Sequence, residues 1–263
     1  MTGDLFSLAG RRALVTGASS GIGRAVAIGL ARHGASVVLH HFGEAAKARE
    51  VAEEIGSGTL VLEADFTDTR AASAFADAVA VRHGPIDILI SNAAIERRLA
   101  WEDVTPAHVE AHAAANFTAL LTLARTLVPS MAERGWGRVV ATGSVMASRP
   151  RAETVVYASL KAAQLTAVRA IARDVAPHGV TMNVVSPGAI ETEATVERYK
   201  DAAFRQAVVA KIPAGRHGQP DDLVGAFVFL CSDAARYITG ADIPVDGGWT
   251  IGDAPGALPG ASQ

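Results

Sequence analysis

Tyr157 and Lys161 stand four residues apart, which puts both side chains on one face of a helix. A lysine ammonium beside a phenol favours the phenolate and lowers a tyrosine pKa from its reference of about 10. A tyrosine tuned this way can trade a proton with a substrate hydroxyl near neutral pH. Thirteen residues before Tyr157 is Ser144, whose hydroxyl can hold the substrate oxygen in place. A second constellation is the run Thr16-Gly17-Ala18-Ser19-Ser20-Gly21-Ile22-Gly23. Between a strand and a helix, such a turn offers free backbone N–H groups and a positive helix end to a dinucleotide pyrophosphate. Its glycines let the backbone approach the ligand closely and let the helix pack on the strand.

These residues need a frame, and the chain supplies one by alternating short apolar runs with helix-length segments. Strands are predicted at Ala13–Thr16, Ser36–His40, Thr59–Glu63, Ile86–Ser91, Arg138–Thr142, Val180–Val185 and Ile243–Val245. Most are continuously apolar, as strands covered on both faces of a parallel sheet must be. Helices are predicted at Ile22–His33, Glu44–Ile55, Thr69–His83, Pro106–Arg134, Tyr157–Ala176 and Asp221–Ala235. Gly34, Gly56 and Gly84-Pro85 supply stop signals. The alternation implies right-handed crossovers and an α/β fold, a doubly wound parallel sheet of seven strands with helices on both faces. The glycine turn then falls at the first strand–helix junction. Ser144 falls at the carboxyl end of the fifth strand, the edge where open α/β sheets bind ligands. Residues 1–250 read as one domain, with a charged segment at about 190–218 as a lid and 251–263 as a flexible tail.

Composition narrows the function. Of 263 residues, 49% are hydrophobic and 19% charged, which excludes a mainly disordered chain. The net charge of −3 gives no global pull toward nucleic acid or anionic membrane, and no metal-ligand spacing is evident. A single cysteine, Cys231 in an apolar run, excludes a disulfide framework and fits a reducing, cytoplasmic setting. No targeting segment or membrane-length apolar run is visible.

Taken together, the motifs resemble those of the short-chain dehydrogenase/reductases, over roughly residues 8–250. Thr16–Gly23 matches the family's T-G-x-x-x-G-x-G, Ser91-Asn92-Ala93-Ala94 its N-N-A-G, and Ser144 with Tyr157-Ala158-Ser159-Leu160-Lys161 its serine and Y-x-x-x-K. Asn116, Pro187-Gly188 and Asp246-Gly247-Gly248 also fall in place. The resemblance implies hydride transfer between NADP or NAD and an alcohol or carbonyl. The long Ala/Leu-rich segments Pro106–Arg134 and Tyr157–Ala176 carry more apolar surface than one sheet face needs, which points to a homotetramer or at least a dimer. The resemblance makes Tyr157 the general acid/base, with Lys161 tuning it and binding the nicotinamide ribose. Ser144 orients the substrate oxygen, and Asn116 interrupts the long helix and holds a water in a proton relay. Gly17, Ser19, Ser20, Gly21, Ile22 and Gly23 would cradle the pyrophosphate. Asp65 and Phe66 would meet the adenine, and Asn92, Ala93 and Ala94 the central part of the dinucleotide. Pro187, Gly188, Ile190 and Thr192 would cover the nicotinamide end.

Two departures stand out. Ala94 replaces the glycine of N-N-A-G. At the end of strand two, where an acidic residue would bind the ribose 2′-hydroxyl of NAD, the chain has His40-His41-Phe42. A histidinium there would attract a 2′-phosphate, so the reading leans to NADP. Arg97, Arg98, Arg149 and Arg151 come from two loops at the ligand edge and suit a polar or anionic small substrate such as a sugar, polyol or sugar acid. The alternative is a 3-oxoacyl-thioester reductase. Arg173 fits one of the basic positions such enzymes carry on their interface helices, but Pro129 occupies the other. A non-catalytic dinucleotide sensor is a third reading, which a complete set of Asn116, Ser144, Tyr157 and Lys161 disfavours.

Overall fold

The structure, a computed structural model, describes residues 4–56 and 58–252. Its frame is a seven-stranded sheet in the order β3-β2-β1-β4-β5-β6-β7, parallel throughout. The strands are β1 Arg12–Val15, β2 Ser36–His41, β3 Leu60–Glu63, β4 Ile88–Ser91, β5 Gly137–Thr142, β6 Val180–Pro187 and β7 Asp242–Val245. All seven predicted strands form, with ends shifted by at most two residues. Side chains alternate between two apolar layers. Leu14, Val38, Leu89, Val139 and Met182 face one layer; Val15, Leu39, Ile90, Val140 and Val185 face the other.

The first layer is completed by α3 (Thr69–His83), α5 (Ala119–Glu133) and α6 (Val155–Val175). The second is completed by α1 (Gly21–Arg32), α2 (Ala45–Ile55) and α9 (Asp221–Cys231). This is the doubly wound architecture the alternation implies. The order reverses between β1 and β4, so the loops leaving their carboxyl ends diverge and leave a crevice.

The segment predicted as one helix, Pro106–Arg134, is α4 (Pro106–Ala113), a π-helical turn (Ala114–Thr118) and α5. The sequence places Asn116 inside that turn. The lid contains α7 (Val196–Tyr199) and α8 (Ala202–Val209). Its two ends are tied by a parallel bridge between Ile190 and Gly218. The expected flexible tail lies, from residue 253 on, outside the described residues.

Candidate active site

The first loop is built to expose backbone. Gly17 and Gly21 have φ of +64° and +53°, in the left-handed region that favours glycine. Gly23 is demanded by packing instead: a Cβ there would lie 2.0 Å from the Gly17 carbonyl oxygen. Ser20 is the N-cap of α1 but makes no side-chain capping bond, so the first-turn N–H groups are left to a ligand. They face a cleft of about 490 Å³ lined by Gly17, Ser19, Ser20, Gly21, Ile22, Asp65, Phe66, Asn92, Ala93 and Ala94, among others. A cradle that a Cβ would fill, at a helix N-terminus and a strand switch point, fits a dinucleotide.

Several expected ligand contacts prove to be supports for this loop. Thr16 Oγ1 accepts from the backbone N–H groups of Asn92 (2.9 Å) and Ala93 (3.0 Å). Asn92 Nδ2 donates to the carbonyls of Thr16 (3.0 Å) and Gly17 (3.1 Å), and its Oδ1 accepts from Thr142 Oγ1 (3.1 Å). The Asn92 amide therefore clamps β1 to β4 and β5. Asp65 Oδ1 accepts from the Thr67 N–H and hydroxyl at 2.8 and 2.7 Å. Asp65 thus also stabilises its own turn at the cleft wall.

The histidines correct the expectation most. His40 is buried, and its Nδ1 accepts from the Gly17 N–H (3.1 Å). That fixes the proton on Nε2, which donates to the Ala64 carbonyl (3.0 Å). The ring stacks on Phe66 at 4.1 Å. Burial pushes its pKa down to about 4, so His40 is neutral at physiological pH and attracts no phosphate. It is a strut holding the glycine turn against β3. His41 is buried too and does not line the cleft, whereas His40 and exposed Phe42 do. Beside the glycine turn lie charges that the strand-end pattern did not single out. Glu44 accepts from Ser19 Oγ (2.7 Å) and pairs with Lys47 (2.9 Å), which also reaches Glu193 on the lid (2.7 Å).

A second pocket, about 210 Å³, adjoins the first and shares Ile22 and Thr192 with it. Ser144 and Tyr157 line it, as do Pro187, Gly188 and Ile190. Gly143 brings Ser144 to the rim of β5; a Cβ at Gly143 would lie 2.5 Å from Val184. Ser144 Oγ accepts from the Met146 N–H at 3.1 Å, which fixes its direction. Lys161 is buried on α6, one turn beyond Tyr157, with Nζ 5.5 Å from the tyrosine ring centre. It donates to the Thr142 carbonyl (2.6 Å) and to Gln164 Oε1 (3.4 Å).

The ionisation of this pair differs from the simple expectation. Part of the Tyr157 ring opens onto the pocket, but packing around the phenol raises its pKa above the usual value. The Glu96 carboxylate adds to the rise, and a hydrogen bond with Ser144 opposes it. Burial pulls Lys161 down to about 8, with Glu96 opposing. Desolvation outweighs the hydrogen bond with Ser144, so Tyr157 rests as a neutral phenol.

Asn116 is spent on the backbone. Its Oδ1 accepts from the Ile95 N–H (2.8 Å), and its Nδ2 donates to the Ile95 carbonyl (2.9 Å). The π-helical turn swings the side chain to the loop after β4, where one bond at each amide atom is taken by Ile95. His112 finishes the anchoring: its Nε2 accepts from the Arg97 N–H (3.1 Å).

The four expected arginines separate. Arg98 and Arg151 line the catalytic pocket, whereas Arg97 lines the dinucleotide cleft. Arg149 turns away and donates to the Trp249 carbonyl (2.5 Å). The lid adds Arg198, Tyr199, Phe204 and Val208 to the catalytic pocket. Tyr199 is fixed by stacking on His217 (4.8 Å), which is paired with Glu191. The lid's broken rhythm is the one sequence signal for these residues.

A parallel doubly wound sheet with a dinucleotide cleft and an adjoining serine–tyrosine–lysine pocket defines a nicotinamide-type oxidoreductase. The family model described as enoyl-(acyl carrier protein) reductase matches residues 17–250. Gluconate 5-dehydrogenase of Gluconobacter oxydans is 38% identical over 252 residues, covering 94% of this chain and 98% of its own. A 3-oxoacyl-[acyl-carrier-protein] reductase of Salmonella typhimurium is 34% identical, covering 92% and 98%. The crystal structure of a gluconate 5-dehydrogenase from Burkholderia cenocepacia, in complex with NADP and tartrate, superposes with a TM-score of 0.86. It shares 34% identity and covers 95% of this chain and 99% of its own. The chain belongs to the short-chain dehydrogenase/reductase family and is an oxidoreductase.

Proposed function

We propose that the chain transfers a hydride between NADP or NAD and a secondary alcohol or carbonyl of a small polar substrate, such as a sugar, polyol or sugar acid. One observation carries this reading: the pocket holding Ser144 and Tyr157 opens, across Ile22 and Thr192, into the dinucleotide cleft. A nicotinamide dinucleotide, when bound, gives or takes the hydride; the chain's own residues handle the proton. The first-turn N–H groups of α1, with Gly17, Ser19, Ser20, Gly21 and Ile22, would hold its pyrophosphate. Asp65, Phe66, Ala93 and Ala94 would line its adenosine half, and Ile190 and Thr192 the other end.

In the reducing direction Ser144 donates to the carbonyl oxygen and orients it. The Tyr157 O–H gives its proton to that oxygen as the carbon gains the hydride. A neutral phenol is the required starting state, which desolvation supplies. The buried Lys161 ammonium lowers the cost of the phenolate left behind. In the oxidising direction the same groups run in reverse.

The relatives act on a sugar acid or, by name, on a 3-oxoacyl carrier-protein substrate. The arginines around the pocket favour the sugar acid. The thioester reductase remains the alternative, supported by identity alone. Leu99, Trp101, Val109 and Val155 are exposed on the surface around α4 and α6, which supports a homo-oligomer, a tetramer or at least a dimer.

The test is a panel of sugars, polyols, sugar acids and 3-oxoacyl thioesters, each assayed with both nicotinamide cofactors by absorbance. Turnover of a hydroxy or keto substrate, lost in Tyr157→Phe, is expected. A chain that binds dinucleotide and turns over none of the panel would be a sensor instead.

A further inference from the structure

Charge pairing around the catalytic pocket distinguishes among its cations. Three guanidinium groups line it: Arg98 after β4, Arg151 before α6 and Arg198 on α7. Arg98 is spent on Glu96, with both its Nε and its terminal nitrogen 2.8 Å from the same carboxylate oxygen. Arg151 lies 3.8 Å from Glu153 and over the Trp249 ring. Of the other lid cations, Arg205 meets Glu191, Lys200 meets Glu197 and Arg216 meets Asp222, and Lys211 does not line this pocket. Among the described residues Arg198 has no carboxylate partner, although it faces the pocket. Its neighbour Tyr199 is buried and stacked, which fixes the short helix that carries it. The pocket therefore has a neutralised wall, Glu96 with Arg98, on the side of Tyr157 and Lys161. It has an uncompensated guanidinium on the lid side.

We propose that Arg198 is the substrate's carboxylate anchor, and that the physiological substrate is a small polyhydroxy or keto acid, read at its charged end by the lid. The inference rests on the dehydrogenase reading and deepens it. A guanidinium presents a planar fork that a carboxylate fills with two parallel hydrogen bonds. Ser144 and Tyr157 hold the reacting oxygen at the other end of the same pocket, so one substrate spans from β5 to the lid. An acid also bridges the lid to the sheet, which an uncharged polyol or a thioester does not do through Arg198.

The measurement is the ratio of kcat/KM for a six-carbon polyhydroxy acid to that for the polyol of the same skeleton, in wild type, Arg198→Ala and Arg198→Lys. Loss of a hydrogen bond to a charged group corresponds to a drop of about 10- to 150-fold. The ratio is expected to fall by that factor in Arg198→Ala, mainly through KM for the acid, and to recover in part in Arg198→Lys. A second readout does not need turnover: the acid is titrated calorimetrically into the Tyr157→Phe chain, with and without Arg198→Ala. Weaker acid binding on loss of Arg198 supports the anchor. An unchanged acid-to-polyol ratio, or equal acid affinity in the two titrated chains, overturns it. A wild-type chain that oxidises or reduces nothing on the panel, yet binds the acid through Arg198, would overturn the dehydrogenase reading and leave the anchor standing.

Discussion

At Tyr157 and Lys161 burial is the dominant force, and it acts on the two residues oppositely. The phenol is held protonated and the ammonium is held close to losing its proton. Tyr157→Phe removes the one transferable proton at the reacting oxygen. It should lower kcat by about 10²–10⁴-fold while leaving dinucleotide affinity near wild type. A variant keeping more than about a tenth of the rate, in steady-state assay, would place the acid/base elsewhere. Lys161 carries a stability cost for its function. Its folded pKa of about 8 lies below the ordinary 10.5, so from pH 8 to 10.5 the unfolded chain binds more protons. Stability of the ligand-free protein therefore rises with pH through that window. Below it, the depression is worth roughly 3 kcal/mol against folding. Lys161→Met orphans the Thr142 carbonyl at about 1 kcal/mol. Urea denaturation at pH 7 should thus show a net gain of about 2 kcal/mol in an inactive variant, with the rise above pH 8 gone.

His40 gives the complementary acid-side prediction. With a folded pKa of about 4 against 6.5, the unfolded chain takes up a proton first as pH falls. The His40 contribution is fully present above 6.5 and is lost progressively down to 4, to a total of about 3 kcal/mol. His40→Gln should be less stable at pH 7 and show a shallower loss between pH 6.5 and 4.5. The preference for NADP over NAD should not move between pH 8 and 6 through His40. A preference that tracks a titration near 6.5 would show that the ring is charged and faces the ligand.

At the scale of elements, α1 is placed by two contacts its sequence makes compulsory. Gly23 meets the Gly17 carbonyl, and Gly29 meets Val224 of α9. Gly23→Ala would put a methyl 2.0 Å from a backbone oxygen that Asn92 also needs. The helix must then move off β1, taking the pyrophosphate cradle with it. Dinucleotide affinity should fall at least tenfold and the thermal midpoint should drop. Cofactor titration followed by fluorescence, with a melting curve, checks both. Wild-type affinity would mean that the helix tolerates the shift. The π-helical turn and the lid work on the same principle, because each positions a loop through side chains from a distant segment: Asn116 on Ile95, and Glu191 with His217 across the Ile190–Gly218 bridge.

At the scale of the whole molecule, apolar surface is left over after both sheet faces are covered. Trp101 is 61% exposed and Tyr237 99% exposed, outside both core layers. Such area suits contacts between copies of the chain. Light scattering at micromolar concentration should give a multiple of the 27.1 kDa chain, with four copies expected. A monomeric mass would count against it. Among the described residues no helix is long and apolar enough to cross a membrane.

The sequence determined the strands, most of the helices and the placing of Ser144, Tyr157 and Lys161. Those depend on local periodicity, on glycines where φ must be positive and on a four-residue spacing along one helix. It also placed Ser144, Tyr157 and Gly17–Ile22 at the ligand edge, since the alternation of elements dictates which strand ends share that edge. Only the tertiary structure decided what each polar group does once there. His40 lies next to the 2′ position in sequence terms, but its ring is folded inward between Gly17, Ala64 and Phe66, and desolvation removes its charge. Asn92 and Asn116 are occupied by backbone groups that only long-range packing brings near. Of the four arginines read from two loops, two reach the pocket, and Arg198, 47 residues beyond Arg151, joins them because the lid folds back. Burial and pairing depend on groups distant in sequence, so the ionisation and partner of a side chain become visible only when the chain is folded.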